Sequence, residues 1–386
     1  MSEKIPFSSP SVSDLEKRYL LEALESRHLS GDGAFTKRCH IWLKDHLKTP
    51  HALLTHSCTA ALEMAALLLN LQPGDEVIMP SFTFVSTANA VALRGAVPVF
   101  VDVRPDTLNI DENKIADAVT PKTKAIFVVH YAGVSAEMDT IKKVAGSIPI
   151  VEDAAQALLS KYKGHPLGSI GDIGCISFHE TKNIVSGEGG ALLTRNEKFG
   201  QRAEIIREKG TNRSQFFRGQ VDKYTWVDLG SSYLPSDILA ALLLAQLERA
   251  QAITAARLEI WQSYFNALKP LASLGITLPT IPPECEHNAH IFYLLTRSLE
   301  ERTELTTYLK EVGIQAPFHY VPLHSSPGGK RFGRAADAMT VTNDISDRLI
   351  RLPLFADLAS HERVINRVLE FYRTGSTENT SQARST

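Results

Sequence analysis

Two ionisable residues, Lys182 and Asp153, stand just past apolar stretches of the chain. Asp153 ends the apolar run that starts at Pro149, and Lys182 follows the run 175–178 within a polar, glycine-rich stretch. Short apolar runs bounded by polar and glycine residues are typical of buried strands. Functional side chains of α/β proteins collect at the carboxyl ends of such strands. We therefore expect Lys182 and Asp153 to face the same edge of one sheet.

A lysine and an aspartate in such a place suit one cofactor in particular. Pyridoxal phosphate is bound covalently by a lysine amine, and it withdraws electrons efficiently only while its ring nitrogen is protonated. A buried aspartate beside that nitrogen keeps the proton in place. Lys182 and Asp153 are our candidates for these two roles. For an isolated pair, a simple Lys–Asp ion pair would be the preferred explanation, so the surrounding motifs matter.

Motifs around these residues resemble one enzyme family. They are SCTAALEMAAL at 57–67, PGDEVIMPSFTFVSTANA at 73–90, EDAAQ at 152–156, SFHETKN at 177–183 and GEGG at 187–190. They resemble the DegT/DnrJ/StrS family of sugar aminotransferases, pyridoxal phosphate enzymes of fold type I that act on nucleotide-linked keto-sugars. The resemblance runs from about Phe7 to Tyr372. It implies an α/β fold in which helices cover both faces of a mostly parallel sheet, with a smaller C-terminal α/β domain.

The resemblance also implies which residues bind pyridoxal 5'-phosphate. They are Thr59, Ala60, Phe84, Asp153, Gln156, Ser177 and Lys182. Thr59, Ala60 and Ser177 would bind the phosphate group, the first two at the N-terminus of an apolar helix. Phe84 would stack on the ring, and Gln156 would bind near the phenolic oxygen. Structural explanations also exist, such as an ordinary helix cap for Thr59 and a core position for Phe84.

The activity that the resemblance implies is a transamination in two halves. L-glutamate gives up its amino group first, and a keto-sugar nucleotide accepts it second. Lys182, as a neutral amine, would move the proton, since burial lowers the pKa of such a lysine. Sugar dehydratases of the same family carry a histidine in place of this lysine, so Lys182 favours a transaminase. Two alternatives stay open: another sugar aminotransferase, or a regulator that binds the cofactor or a nucleotide sugar without turnover.

A stretch rich in cations and aromatic rings, 207–226, is predicted to contact the sugar nucleotide. A net charge of −2 over 386 residues gives no general attraction for an anion, so a local basic cluster is needed. Arg213, Arg218 and Tyr224 are the candidates, because guanidinium groups suit a diphosphate and aromatic rings suit a base. The stretch most resembles family members that act on a dTDP-linked 4-keto-6-deoxy-sugar. The alternative for this stretch is an ordinary solvated basic loop. His319 resembles a family residue that lines the site, and the alternative for it is a structural histidine.

Composition and motif spacing exclude several other functions. Hydrophobic residues make up 44% and charged residues 22% of the chain, with no basic excess for nucleic acid or an anionic membrane. The four cysteines lie far apart without a CxxC pair, so neither a disulfide framework nor a zinc site is indicated. His179-Glu180 starts an HExxH pattern, but Asn183 replaces its second histidine. No stretch approaches the ~20 apolar residues of a membrane span and no signal core is present, so a cytoplasmic protein is expected.

The predicted elements divide the chain into two domains. A large cofactor-binding domain is predicted over 1–250, a small domain over 251–374, and a disordered polar tail over 375–386. One long helix from Ser236 to about Leu268 would connect the domains. A homodimer with active sites at the interface is expected from the resemblance, and because this helix and the one after Ala60 offer much apolar surface. Several relatives carry Asn or Arg at the position of Leu234 to reach the partner subunit, so that contact is not implied here.

Overall fold

The computed structural model describes residues 4–382, with side chains described as far as residue 373. The strands are β1 (His51–Thr55), β2 (Glu76–Pro80), β3 (Val97–Val101), β4 (Thr123–Val129), β5 (Ile150–Asp153), β6 (Lys161–Tyr162), β7 (His165–Pro166), β8 (Ile173–Ser177), β9 (Gly190–Thr194), β10 (Cys285–Glu286), β11 (Phe292–Leu295), β12 (Arg334–Ala335) and β13 (Leu349–Leu352). The helices are α1 (Asp14–Glu25), α2 (Ala34–Leu47), α3 (Cys58–Leu68), α4 (Val85–Ala92), α5 (Glu112–Ala118), α6 (Met138–Ala145), α7 (Glu197–Arg207), α8 (Arg213–Phe217), α9 (Asp237–Glu248), α10 (Ala250–Leu268), α11 (Leu299–Glu311), α12 (Pro327–Phe332), α13 (Thr340–Arg348) and α14 (His361–Gln382). Two short 3-10 helices cover Tyr131–Gly133 and Lys269–Leu274.

A central sheet of eight strands has the order β1-β9-β8-β5-β4-β2-β3-β12. The strands pair in parallel from β12 to β8, and the pairing becomes antiparallel between β8 and β9 and between β9 and β1. Strands β2, β5 and β8 are buried along their whole length, as expected when helices cover both faces. The predicted α/β fold with a mostly parallel sheet is therefore confirmed.

Helices pack on both faces of this sheet. Helix α9 lies in the core on one face, where Ala240, Leu244 and Leu247 are almost fully buried. Helix α3 lies in the core on the other face, where Ala61 and Met64 are inaccessible. The apolar surface of both helices is thus already covered within one chain, and it does not require a second subunit.

The single helix predicted from Ser236 to Leu268 is in fact two helices. Helices α9 and α10 meet at Arg249 and are bent by 60°. Arg249 has φ −102° and ψ 0°, and its guanidinium donates a hydrogen bond of 2.7 Å to Glu16 in α1. Neither Gly nor Pro marks the bend, so local signals could not reveal it. Among residues 4–382 no single helix is long and apolar enough to cross a membrane. Helices α9 and α10 taken together reach the length and apolar composition of a membrane span, but they are bent against each other.

The C-terminal part of the chain builds a smaller unit beside the sheet. Strands β11 and β13 pair antiparallel, and their apolar residues pack with α10, α11 and α14 in a separate core. Strand β12 departs from this unit and joins the central sheet, where Arg334 bonds to Glu76 at 2.9 Å. The predicted domain boundary at 250/251 falls in the first turn of α10, next to the break between α9 and α10, and stays a prediction. Helix α14 overlaps the start of the predicted tail, and residues 383–386 lie outside the described residues.

Candidate active site

A cavity of about 520 Å³ opens at the carboxyl ends of β5 and β8. Strand β5 ends at Asp153, which lies beside Cys175 of the parallel strand β8, and the turn after β8 carries Lys182. Most of the residues that the sequence singled out line this cavity: Thr59, Phe84, Asp153, Gln156, Ser177, Lys182 and His319. The parallel pairing thus brings Lys182 and Asp153 to one cavity, because it places the two strand ends at the same edge.

The Asp153 carboxylate is buried and held in place from two sides. Its Oδ2 accepts a hydrogen bond of 2.7 Å from the Thr87 hydroxyl, and its Oδ1 accepts one of 3.2 Å from the Ala155 amide. Burial raises the pKa of Asp153, while these two hydrogen bonds and the charge of Lys182 oppose the rise. A cationic group placed against this carboxylate would remove the cost of burying its charge. A protonated pyridine nitrogen is such a group.

Lys182 lies half-buried in the turn between β8 and β9. Its amide donates to the carbonyl of His179 at 2.9 Å, and His179 forms an isolated bridge with Gly187 that folds the turn back on itself. Burial lowers the pKa of the Lys182 ammonium, and the charge of Arg351 lowers it further, whereas Cys58 and Asp153 act in the opposite direction. A lysine of depressed pKa offers more neutral amine, which is the form that attacks a carbonyl carbon.

Several hydroxyl groups surround the N-terminus of α3 at one end of the cavity. Ser57 caps the helix, and the Thr59 hydroxyl lies 2.7 Å from that of Ser86. Gly190 allows β9 to approach this point, since a Cβ there would lie 2.5 Å from the amide nitrogen of Cys58. The first amides of a helix have no partner within the helix and attract anions. This end of the cavity therefore suits a phosphate group.

Ala60 differs from its expected role at this helix N-terminus. Its side chain is buried, it does not line the cavity, and its amide donates a hydrogen bond of 3.1 Å to the Ser57 hydroxyl. The helix cap has thus taken the donor that the resemblance assigned to a phosphate. Ser177 does line the cavity, and its hydroxyl oxygen lies 3.4 Å from the amide of His179.

Phe84 and Gln156 line the same cavity as Asp153. Phe84 precedes α4 and is 56% exposed, so its ring is open to a flat ligand. The side-chain amide of Gln156 is held at both of its polar atoms. Its oxygen accepts a hydrogen bond of 2.7 Å from the Ala132 amide, and its nitrogen donates one of 2.8 Å to the Tyr320 hydroxyl. Gln156 therefore contacts any ligand from one restrained orientation.

The structure also brings residues to the cavity that the sequence did not reveal. The small unit contributes Tyr320, His290 and Arg351, and α10 contributes Arg257. Tyr320 stacks on His319 with ring centres 3.7 Å apart. For Tyr320 the sequence offered one signal, since it directly follows His319 in the chain. The other three lie in elements whose position depends on how the two units pack together.

Arg213, Arg218 and Tyr224 do not line the cavity of the chain that carries them. Arg218 instead binds Glu204 through two hydrogen bonds of 3.1 and 2.7 Å. Arg213 lies over the ring of Phe217 at 5.1 Å, and Tyr224 is 55% exposed. Arg213, Arg218 and Tyr224 are therefore surface residues of this chain, and both arginines contact their own neighbours.

Comparison with known proteins agrees with this geometry. Residues 10–369 match the DegT/DnrJ/EryC1/StrS aminotransferase family. The chain is 33% identical to UDP-4-amino-4-deoxy-L-arabinose–oxoglutarate aminotransferase of Shewanella sediminis, over 96% of this chain and 98% of that one. It is 34% identical to the spore coat polysaccharide biosynthesis protein SpsC of Bacillus subtilis, over 96% of each chain. The solved PLP form of Spr1654 from Streptococcus pneumoniae has a TM-score of 0.88 and 29% identity, covering 97% of this chain and 99% of that one.

The match spans nearly the whole chain and includes every element that lines the cavity except the segment around Phe7. The cavity contains a lysine amine, a buried carboxylate and a helix N-terminus, which are the groups that pyridoxal phosphate requires at its aldehyde, its ring nitrogen and its phosphate. The chain therefore belongs to the DegT/DnrJ/EryC1/StrS aminotransferase family, and it is a pyridoxal 5'-phosphate-dependent sugar aminotransferase.

Proposed function

We propose that this aminotransferase moves the amino group of L-glutamate to C4 of dTDP-4-dehydro-6-deoxy-D-glucose. The products are dTDP-4-amino-4,6-dideoxy-D-galactose and 2-oxoglutarate, and the amino-sugar serves the synthesis of a cell-surface polysaccharide, the enterobacterial common antigen. The observation that carries the transamination is that Lys182, with its lowered pKa, and the buried carboxylate of Asp153 line one cavity. The choice of sugar is supported by the stretch 207–226, which resembles that of the transaminase making this product.

Each residue has a defined task in this proposal. When bound, pyridoxal phosphate supplies an electron sink for the bond that breaks at the reacting carbon. Lys182 Nζ would hold the cofactor covalently and, as a free neutral amine, would move the proton to and from that carbon. Asp153 would stabilise the proton on the ring nitrogen, and Thr87 holds the carboxylate in position. The N-terminus of α3, with Thr59, and Ser177 from β8 bind the phosphate, and Phe84 packs on the ring.

We also propose that the active form is a homodimer in which the stretch 207–226 of one protomer reaches the cavity of the other. Large apolar side chains are exposed both on that stretch and beside the cavity: Phe217 at 69%, Trp226 at 74%, Phe84 at 56% and Val321 at 62%. Apolar groups exposed in this way favour a protein interface. The arrangement would bring Arg213, Arg218 and Tyr224 to a cavity that they do not reach in their own chain.

The test is turnover of dTDP-4-keto-6-deoxyglucose with L-glutamate by the purified protein, followed by NMR of the amino-sugar. Proton coupling constants at C4 distinguish the galacto from the gluco product directly. A UDP-linked 4-keto-pentose is the matched competitor, because the Shewanella sediminis relative is named for a UDP-linked amino-pentose. A higher kcat/KM for that competitor, or a gluco product, would refute the proposed substrate or product.

The proposed dimer is tested by sedimentation at micromolar concentration. A fully active monomer would contradict it. Replacing Trp226 by glutamate should shift the equilibrium towards the monomer, whereas the same change at the exposed Leu274, far along the chain from the stretch, should leave it unchanged.

A further inference from the structure

His290 lies just before β11, lines the cavity, and is bound at one ring nitrogen by Asn183. The side-chain amide of Asn183 lies between two partners. Its nitrogen donates a hydrogen bond of 2.7 Å to the carbonyl of Asn288, and its oxygen lies 2.9 Å from Nδ1 of His290. A carbonyl oxygen can only accept, so the amide nitrogen must face Asn288 and the amide oxygen must face the imidazole. Nδ1 of His290 therefore carries a proton and donates it to Asn183.

The backbone around His290 is also held in place. Arg257 of α10 donates from Nη2 to the carbonyl of His290 at 2.9 Å and from Nε to that of Ala289 at 3.1 Å. The side-chain nitrogen of Asn288 donates 2.9 Å to the carbonyl of Gln156, after β5. These contacts join the loop of the small unit to the elements around the cavity, so the imidazole has one restrained position.

The imidazole of His290 is neutral, with its lone pair on Nε2. Burial lowers its pKa well below the usual range, and the charges of Lys182, Arg257 and Arg351 lower it further. A neutral imidazole has a proton on one nitrogen and a lone pair on the other, and here Nδ1 has the proton. Among residues 4–373 no hydrogen bond reaches Nε2, and this atom is not sealed off from solvent. His290 thus offers the cavity a fixed hydrogen-bond acceptor.

Such an acceptor suits a ligand that donates a hydrogen bond. L-glutamate has one donor group, its amino group, and that group reacts, whereas the sugar nucleotide has hydroxyl groups. Asn183, which binds the imidazole, directly follows Lys182, so His290 is tied to the residue next to the reactive lysine. In the proposed sugar the reacting carbon is C4. Of its two neighbours, C5 carries a methyl group and the ring oxygen, and only C3 carries a hydroxyl.

We propose that Nε2 of His290 accepts a hydrogen bond from the C3 hydroxyl of the keto-sugar, an inference that deepens the proposed function and rests on it. His290 is then a specificity-determining residue, which selects a sugar with a hydroxyl beside the reacting carbon over its 3-deoxy analogue. The contact also orients the sugar ring towards Lys182, because a restrained acceptor fixes the carbon next to the one that reacts.

The first test measures binding without chemistry. dTDP-glucose, whose sugar has no keto group, and dTDP-3-deoxyglucose are titrated by calorimetry into the holoenzyme. The wild type should bind dTDP-glucose about tenfold more tightly, as for one hydrogen bond to a partly buried acceptor. His290→Leu should bring the two Kd values within twofold of each other by weakening the binding of dTDP-glucose. His290→Gln, whose side-chain oxygen can accept in place of Nε2, should keep part of the difference.

A third ligand, dTDP-2-deoxyglucose, distinguishes the C3 hydroxyl from the C2 hydroxyl. His290→Leu should leave unchanged the ratio of its Kd to that of dTDP-3-deoxyglucose carrying the same substitution only if neither hydroxyl contacts another residue, so each analogue is compared with dTDP-glucose in the same protein. The penalty for lacking the C3 hydroxyl should disappear in the variant. If the penalty for lacking the C2 hydroxyl disappears instead, His290 binds the other hydroxyl and the proposal is overturned.

The second test separates a hydrogen bond to the sugar from a structural role, because His290→Leu also removes the contact with Asn183. The value of kcat/KM is measured with dTDP-4-keto-6-deoxyglucose and with its 3-deoxy analogue. Loss of the hydrogen bond should lower the ratio of the two values by about tenfold. A displaced Lys182 would lower both values by one factor, and an unchanged ratio would overturn the proposal. His287→Leu, at a histidine of the same loop that does not line the cavity, is the control and should keep the wild-type ratio.

Binding and turnover together separate this inference from the proposed function. If the wild type prefers dTDP-glucose to its 3-deoxy analogue through His290 but does not aminate the keto-sugar, the proposed function fails while the contact is established. If the wild type aminates the keto-sugar but binds the two ligands equally, the inference is wrong and the proposed function stands. Absence of binding of every dTDP-sugar would overturn both.

Discussion

The hydroxyl of Thr87 donates a hydrogen bond of 2.7 Å to Oδ2 of Asp153, the carboxylate that shares a cavity with Lys182. Thr87 lies on α4, and its hydroxyl is 3.0 Å from that of Thr83. The carboxylate at the end of β5 is therefore oriented by a helix from a part of the chain 66 residues away. This contact makes Asp153 a rigid acceptor, which is what a ligand nitrogen needs if its proton is to be held in place.

Replacing Asp153 by asparagine should separate cofactor binding from catalysis. We expect Asp153→Asn to retain the cofactor but to slow the glutamate half-reaction by at least about a hundredfold, because loss of one buried charge partner costs on the order of 3 kcal/mol. Stopped-flow absorbance measures the rate, and cofactor content is measured on the denatured protein. Thr87→Val, which only frees the carboxylate, should slow the reaction several-fold. Near-normal turnover by Asp153→Asn would show that this carboxylate does not serve the ring nitrogen.

Lys182 should be the residue to which the cofactor is attached. The purified protein should absorb in the visible, and borohydride reduction followed by peptide mapping should place the label on the peptide that contains Lys182. Lys182→Ala should lose the covalent label and all detectable transamination. The control is Lys209→Ala, at a lysine that does not line the cavity, which should label normally. Label on any other lysine would refute the assignment.

The lowered pKa of Lys182 has a consequence for the stability of the apoprotein. Below the folded-state pKa, the lysine is charged in both states and the folded state bears the full cost of burying that charge. Between that pKa and the unfolded value of 10.5, the unfolded state binds more protons, so stability rises with pH. Lys182→Met should therefore be more stable than the wild-type apoprotein at pH 7, with a difference that shrinks as the pH approaches 10.5.

Urea denaturation of both apoproteins at pH 7 and at pH 9.5 measures this difference. Titrating groups that Lys182 does not influence are common to the two proteins and cancel in the comparison, whereas loss of the Lys182 charge also raises the pKa of Asp153. A difference that is absent at pH 7, or that grows with pH, would mean that the Lys182 ammonium is not penalised by burial.

The basic stretch should affect one half of the reaction only. Arg213→Ala or Arg218→Ala should raise the apparent KM for the sugar nucleotide by about tenfold to a hundredfold, if each loses one charge-assisted contact of ~1.5–3 kcal/mol. Bleaching by glutamate should hardly change, because the proposed contact of these arginines is to the diphosphate of the sugar nucleotide, which glutamate lacks. Glu204→Gln is a matched control, since it releases Arg218 from its ion pair without removing the cation. A KM within twofold of the wild type in both variants would exclude this role.

Local sequence patterns determined the strands, the helix caps and the pair at the centre of the site. Ser13 and Glu16, three residues apart, form a capping box in which the Ser13 amide donates a hydrogen bond of 2.8 Å to the Glu16 carboxylate, because a cap depends only on neighbours within one turn. Asp153 and Lys182 could be placed together because Asp153 ends one strand and Lys182 follows another, and parallel strands present their carboxyl ends at one edge. Motif resemblance supplied the cofactor, since EDAAQ and SFHETKN each lie within a few residues of chain.

Only the tertiary structure decided which distant residues complete the cavity. Arg351 reaches it because β13 pairs with β11 and the small unit packs over the ends of β5 and β8, a placement that no periodicity encodes. At the bend between α9 and α10, Arg249 donates a hydrogen bond to Glu16 of another helix, a contact between residues far apart in the chain. Arg218, which the sequence predicts to contact the sugar nucleotide, binds Glu204 of its own chain, a partner that the fold brings near. Local patterns act through adjacent residues, whereas these contacts join elements that only the packing of the whole chain brings together.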